Sequence, residues 1–230
     1  MCSGFFKFPR TPHLEWLSTR APQDDRVLDK AAAAEFLAGD LIVEEKVDGA
    51  NVGLSLDERG AIRAQSRGKW IGPGSRPQFQ PLWAWIAARQ NSLIEAIGPQ
   101  RIVFGEWCFA FHSIRYDKLP DWFLAFDVYD CAARRFWSAE RRDGLLAMAG
   151  LTGVPRIATG RFTPRQLRGM LDAEQSRLCN RTLEGLYLRR DNGDWLEARA
   201  KLVHPRFLQG AEEHWAARPL ERNYLAQGNS

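Results

Sequence analysis

Lys46 and Asp48 stand two residues apart in the stretch Val43-Glu-Glu-Lys-Val-Asp-Gly-Ala-Asn51. On an extended chain both side chains therefore project from one face. Gly49, next in line, lets the backbone bend or approach a ligand closely. An amine at Lys46 attacks an electrophile only when neutral, and the ordinary lysine pKa of about 10.4 leaves little neutral amine at pH 7. Burial, a metal ion or neighbouring cations would lower that pKa. Taken alone, the spacing also describes a solvated Lys–Asp pair at a strand end, so its meaning depends on what surrounds it.

Further charges recur inside otherwise apolar runs. Glu106 lies in Val103-Phe-Gly-Glu-Trp107, Glu184 in Leu183-Glu-Gly-Leu-Tyr187, and Lys201 in Arg199-Ala-Lys-Leu-Val203. Charges seldom occupy strands this apolar unless they are paired or functional. Two carboxylates, Glu106 and Glu184, could hold a hydrated Mg²⁺, while Arg199 and Lys201 could meet a triphosphate. Several strands bringing lysine, carboxylate and phosphate-binding groups to one place favour nucleotide chemistry.

The elements that must position these residues follow from periodicity and punctuation. An extended arm containing Phe8-Pro-Arg-Thr-Pro-His13 opens the chain, followed by a helix over 29–37 that Gly39 ends. Strands are expected at 41–47, 52–56 and 61–66, then a loop marked by Gly68, Gly72, Pro73, Gly74 and Pro77. Leu82, Trp85, Ile86, Leu93, Ile94 and Ile97 keep helical spacing and predict one amphipathic helix over 81–97. Strands at 101–109 and 122–129 flank a polar loop holding His112 and Tyr116. Ser138 can cap a helix running to residue 148, and Thr163-Pro164 opens another. A hairpin of 183–190 and 195–203 turns on Asp191-Asn-Gly-Asp194, and His204-Pro205 opens a short helix. Strands in hairpins with helices between them predict an α+β fold of mainly antiparallel sheets with flanking helices. No repeat or composition break divides the chain, so a single domain over 1–230 is expected.

Composition narrows the classes. The 230 residues are 45% hydrophobic, enough for one large core. No apolar run approaches transmembrane length and no signal peptide is evident, which predicts a soluble, cytoplasmic protein with no membrane partner. The four cysteines are widely spaced without a C-x-x-C pair, so reduced thiols are expected in place of a zinc site or disulfides. Lys and Arg exceed Asp and Glu by 32 to 28, an excess that permits an anionic partner. Arg134, Arg135, Arg141 and Arg142 flank Phe136 and Trp137, and Arg156, Arg161, Arg165 and Arg168 follow. Each cluster also reads as a solvated helix face.

The charged strands, taken in order, resemble the covalent nucleotidyltransferase superfamily of polynucleotide ligases and capping enzymes. Lys46-Val-Asp-Gly49 matches the K-x-D-G nucleophile motif, and Ser66-Arg67 the arginine motif after it. Phe104-Gly-Glu106, Phe126-Asp-Val128, Glu184-Gly185 and Arg199-Ala-Lys201 match the later ones. K-x-D-G-x-R is usual in DNA ligases and capping enzymes, whereas Asn51 takes the last place here. With the opening arm, that is similar to the ATP-dependent RNA ligases of the phage nick-sealing RNA ligase 2 group. A minimal DNA ligase, or an inactive RNA-binding or annealing module of the same fold, remains the alternative.

The resemblance implies an ATP-grasp-like nucleotidyltransferase domain using ATP and Mg²⁺ or Mn²⁺. Lys46 would attack the α-phosphate to form lysyl-AMP. AMP would pass to an RNA 5′-phosphate, and a 3′-hydroxyl would displace it in RNA repair. By the same resemblance Phe126 stacks on adenine, and Glu45 and Asn51 seat the nucleotide; Asp127 could support Phe126 or the metal, or make a structural hydrogen bond. Arg67 contacts ribose or RNA phosphate, Glu106 contacts ribose or a metal-bound water, and Glu184 contacts the metal's hydration shell. Lys201 neutralises the α-phosphate, with Arg199 beside it in place of the lysine common in the family. About 30 residues follow the last motif, so no OB-fold or substantial C-terminal domain is expected. RNA, as a nicked duplex or paired ends, would be gripped by this domain, helped by the arginine-rich stretches or by a protein partner.

Overall fold

A computed structural model describes residues 2, 4–19, 26–72, 74–208 and 220–226. Helix α1 (Lys30–Leu37) is capped by Asp29, whose carboxylate accepts from the Ala32 amide at 2.8 Å. Strand β1 (Leu41–Lys46) then enters a four-stranded antiparallel sheet, and β2 (Ala50–Leu56) enters a separate six-stranded one. Only Val47, Asp48 and Gly49 make the passage between sheets. The chemically suspicious motif is therefore the joint of the molecule.

The six-stranded sheet continues with β3 (Ile62–Ser66), β4 (Trp70–Ile71), β5 (Arg101–Trp107), β6 (Phe123–Asp130) and β7 (Arg135–Phe136), ordered β4-β3-β2-β5-β6-β7. Beside β1, the four-stranded sheet holds β8 (Arg156–Gly160), β9 (Gly185–Asn192) and β10 (Trp195–Val203), ordered β10-β9-β1-β8. Every pairing of these strands is antiparallel. The mixed α+β architecture agrees with the sequence expectation.

One long helix was expected over 81–97, but two form, α2 (Gln80–Ala87) and α3 (Gln90–Ile97). Arg89 leaves the helical region at φ −124° and ψ 17°. Its guanidinium is drawn over the Trp85 ring at 4.8 Å and to Asp121 at 3.2 Å. Both helices bury apolar residues in phase, so spacing alone conceals the break. Helices α4 (Ala139–Ala149) and α5 (Pro164–Ala173) start at Ser138 and Thr163 as their caps require. The expected helix after His204 begins as a 3₁₀ turn, Pro205–Phe207, and residues 209–219 lie outside the described residues.

Strand alternation sorts the core. Along β5, Val103 and Trp107 face one way, into a cluster with α2, α3 and α4. Ile102 and Phe104 face the other, into a cluster with Phe8 and Phe126. A third cluster packs α1 and α5 on the four-stranded sheet through Phe36, Leu41, Val43, Leu167 and Leu188. The expectation of reduced thiols fails for one pair. Cys2 and Cys131 form a disulfide across 129 residues with Cα atoms 5.6 Å apart, while Cys108 and Cys179 are buried free thiols. The arm brings Cys2 to the end of β6, a contact that sequence spacing cannot show. Among the described residues no helix is long and apolar enough to cross a membrane.

Candidate active site

Where the sheets meet, a cavity of about 280 Å³ opens, lined by Glu45, Lys46, Val47, Asn51, Arg67, Glu106, Phe126, Val154, Tyr187 and Lys201. Phe8, Pro9, Arg10 and Thr11 of the arm form its remaining wall. Seven of the nine residues singled out from sequence thus share one pocket. Glu184 stands just behind it, and its Oε1 accepts from Lys46 Nζ at 2.6 Å. Arg199 is turned away from the cavity. It donates to Asp127 Oδ2 at 2.6 Å and lies over the rings of Phe136 and Phe8 at 4.1 and 4.7 Å.

The joint is held rigidly. Asp48 Oδ2 accepts from the Ser113 amide at 2.7 Å and from Ser113 Oγ at 2.6 Å, and the Asp48 amide donates to Tyr116 Oη at 2.9 Å. The loop holding His112 and Tyr116 therefore clasps the Lys46–Gly49 motif. His112 contributes from the side, with Nδ1 3.9 Å from Asp48 and Nε2 paired to Gln78. Gly49 is required here by close approach, since a Cβ would stand 2.8 Å from the Trp107 carbonyl oxygen. Glu45 is fixed by Ser176 Oγ and by the Arg177 amide at 3.0 Å.

Burial and mutual charge set the electrostatics. Burial opposes the Lys46 ammonium, yet Glu184, Asp48 and Glu106 outweigh it and raise the lysine pKa. Burial likewise pushes Glu106 up to about 8 and Glu184 up to about 7, with Lys46 pulling each partly back. The lysine therefore rests as an ammonium, held chiefly by Glu184 and Asp48. Neutralising those carboxylates would release its proton. Asn51 Oδ1, Glu106 Oε2 and Glu184 Oε2 are buried without a hydrogen-bond partner among the described residues. Such oxygens are costly unless a ligand satisfies them. No group of three or more metal-ligating side chains occurs among the described residues. Two carboxylates with unsatisfied oxygens suit a divalent cation that keeps most of its water.

Beneath the cavity lies a clamp that the sequence reading did not find. The Phe126 carbonyl accepts from Arg142 Nη1 at 2.6 Å and from Arg189 Nη1 at 3.1 Å. Asp127, next in β6, takes Arg189 and Arg199 on its two oxygens. Arg142 is in turn paired with Glu44 at 2.5 Å, and both side chains are almost wholly buried. Three arginines thus fix the backbone that carries the Phe126 ring, while Phe8 meets that ring edge-on at 5.4 Å. Arg142 is consequently withdrawn from the arginines offered above for RNA contact. Arg189, a charge within apolar β9, carried the same signal that identified Lys201.

A lysine at the joint of two antiparallel sheets, facing carboxylates and a basic strand across a cavity floored by an aromatic ring, defines a nucleotidyltransferase fold. Residues 39–203 match the family model described as RNA ligase, and the chain belongs to that family. Among solved structures it is similar to Naegleria gruberi RNA ligase with PPi, at TM-score 0.57 and 22% identity over 74% of this chain and 51% of that one. A lysine-to-alanine mutant of that ligase with ATP and Mn gives TM-score 0.59 and 21% identity, covering 76% and 52%. A lysine-to-methionine mutant with AMP and Mn gives 0.57 and 19%, again covering 76% and 52%. At such identities the likeness concerns the fold. The chain spans about half the length of these ligases. No curated protein sequence matches.

Proposed function

We propose that the chain, as one nucleotidyltransferase domain, activates RNA ends with ATP and seals them. The observation that carries this reading is Lys46 in its cage: one amine, aimed into a cavity of nucleotide size and held by carboxylates whose outer oxygens await a ligand. In the first step Lys46 Nζ, once deprotonated, attacks the α-phosphorus of ATP. A P–N bond forms and the bond to pyrophosphate breaks. Lys201 faces the same cavity from β10 and would balance charge on the α-phosphate, with Arg67 at the ribose or the RNA phosphate. Phe126 offers its ring to adenine, while Glu45 and Asn51 seat the nucleotide. AMP then passes to an RNA 5′-phosphate, and a 3′-hydroxyl displaces it. Mg²⁺ or Mn²⁺, held through water by Glu106 and Glu184, would neutralise the carboxylates that keep Lys46 protonated and offset phosphate charge.

That the Naegleria ligase is solved with PPi, with ATP and Mn, and with AMP and Mn supports this choice of ligands. Asn51 supports the choice of RNA. It pairs across the β2–β5 ladder with Glu106, so an arginine in its place would stand opposite that carboxylate and neutralise it. Intact-mass measurement after incubation with ATP and Mg²⁺ tests the first step. Wild type gains one AMP and Lys46→Ala gains none; AMP on both, or on neither, refutes the covalent mechanism. Sealing of nicked RNA but not of an all-DNA nick checks the substrate.

A further inference from the structure

Many of the described arginines are tied to acids, and a few are not. Arg142, Arg156, Arg161, Arg168, Arg189, Arg190 and Arg199 are all paired with carboxylates. Arg101, Arg135 and Arg141 are not: among the described residues none of the three has a carboxylate within 4.0 Å, although Asp130 pairs with Arg101 across the β5–β6 ladder. They stack on indole rings instead. Arg141 lies 3.8 Å from the Trp137 centroid and 5.0 Å from that of Trp195, Arg135 lies 4.8 Å from Trp195, and Arg101 lies 5.5 Å from Trp137. Trp137 and Trp195 are themselves joined by a β-bridge between the two sheets.

Stacking holds a guanidinium by its face and leaves its N–H edge for another acceptor. Trp137 is only 6% exposed, so it acts as a support and offers little face on which a base could stack, while Trp195 is partly buried beneath Arg135 and Arg141. The mounting is rigid. Asp130 accepts from the Ala132 and Ala133 amides and so fixes the β6–β7 turn that carries Arg135, and the Cys2–Cys131 disulfide ties the same turn to the arm. A cavity of about 330 Å³ opens between Arg101, Trp137 and Arg141, with Asp130 also on its wall, its carboxylate engaged by the Ala132 and Ala133 amides. Preorganised guanidinium edges without carboxylate partners suit phosphate oxygens.

We infer that Arg101, Arg135 and Arg141, mounted on Trp137 and Trp195, form a docking site for the phosphate backbone of RNA away from the sealing centre. This rests on the RNA-sealing reading above. Trp195 opens β10 and Lys201 lies six residues along it, which is about 20 Å at strand rise. At the duplex-DNA spacing of one phosphate per about 3.4 Å of strand, the site meets the backbone roughly six nucleotides from the nick, and slightly further along the more compact A-form RNA duplex. Backbone contacts read no sequence, so the gain in affinity is independent of base composition.

The test compares wild type with an Arg101→Gln/Arg135→Gln/Arg141→Gln variant, measuring affinity for nicked RNA duplexes from 50 to 200 mM salt, with AMP loading as the control of fold and pocket. Three lost phosphate contacts lower the log–log salt slope by about 2 to 3. Wild type should then lose roughly twenty- to fortyfold more affinity than the variant over that range. Shortening one duplex arm below about six nucleotides should erase the difference between them. AMP loading by the variant should equal that of wild type. Equal slopes and equal affinities overturn the docking site, as does a difference that persists with short arms. Loss of AMP loading in the variant, which would make the arginines structural, also overturns it. The two readings fail separately: a wild type that never loads AMP refutes the sealing reaction, while an arm-dependent salt-slope difference would still support docking.

Discussion

Removing Arg142 should damage the protein twice, once through stability and once through the nucleotide. The side chain is 2% exposed and Glu44, its partner at 2.5 Å, is fully buried. Arg142→Ala leaves that carboxylate without its cation, and breaking one side of a buried pair costs about 3–5 kcal/mol. For a domain of this size each kcal/mol moves the melting temperature by about 2–4 °C, so a fall of roughly 6–20 °C is expected. Guanidinium unfolding of the variant measures the loss directly. A Glu44→Leu/Arg142→Met double variant replaces the pair with apolar volume and should recover most of the stability. It should not recover ATP affinity. The Phe126 carbonyl would keep Arg189 but lose its shorter bond to Arg142, and the aromatic floor would be less firmly placed. The expected signature is a raised KM for ATP in a protein as stable as wild type. A cost below about 1 kcal/mol for Arg142→Ala, or an unchanged KM in the double variant, would refute the clamp.

The paired glutamates predict a pH dependence in metal-free protein. Glu106 and Glu184 titrate near 8 and 7 when folded against a usual 4.5, so their stabilising contribution is complete below about 4.5 and is lost as pH rises through 7 and 8. Glu106→Gln stays neutral throughout and should flatten the stability–pH curve over that window in chelator-treated samples; an unchanged curve would contradict the burial argument. Gly49→Ala places a methyl against the Trp107 carbonyl oxygen and should cost about 1–3 kcal/mol, read by thermal unfolding, with AMP loading falling as the joint shifts.

What the sequence disclosed about the site came from one physical contrast, charge within apolar strands. It located Lys46, Glu106, Glu184 and Lys201, because a strand buried on both sides tolerates a charge only for a reason. The same contrast applied to Arg189 and went unused. Arg142 was illegible for a different cause, since an arginine within a helix reads alike whether it faces solvent or Glu44. Phe8 to Thr11 line the cavity through a long-range contact, and the prolines of the arm identify an extended segment without saying where it lies. Strand β8 was hidden in the arginine-rich stretch, where intermediate burial leaves no clean alternation. The longer hairpin strands and the caps at Ser138 and Thr163 were legible because capping and hairpin rules are local, whereas the two-residue strands β4 and β7 are too short to show a pattern. The break at Arg89 depends on Asp121, more than thirty residues away.

The arm also orders events in time. His13 is bridged to Lys201, with the Lys201 amide donating to the Pro12 carbonyl and the Leu14 amide to the Lys201 carbonyl, each at 2.8 Å. During synthesis at about 5–20 residues per second, the ribosome makes residue 13 roughly ten to forty seconds before residue 201. Throughout that interval one wall of the cavity proposed for the nucleotide already exists but has nothing to lean on. Phe5, Phe6 and Phe8 are meanwhile exposed to whatever else is nearby. A nascent chain of this protein should therefore be unable to hold ATP until β10 has left the exit tunnel, so that the capacity to react arrives in one late event.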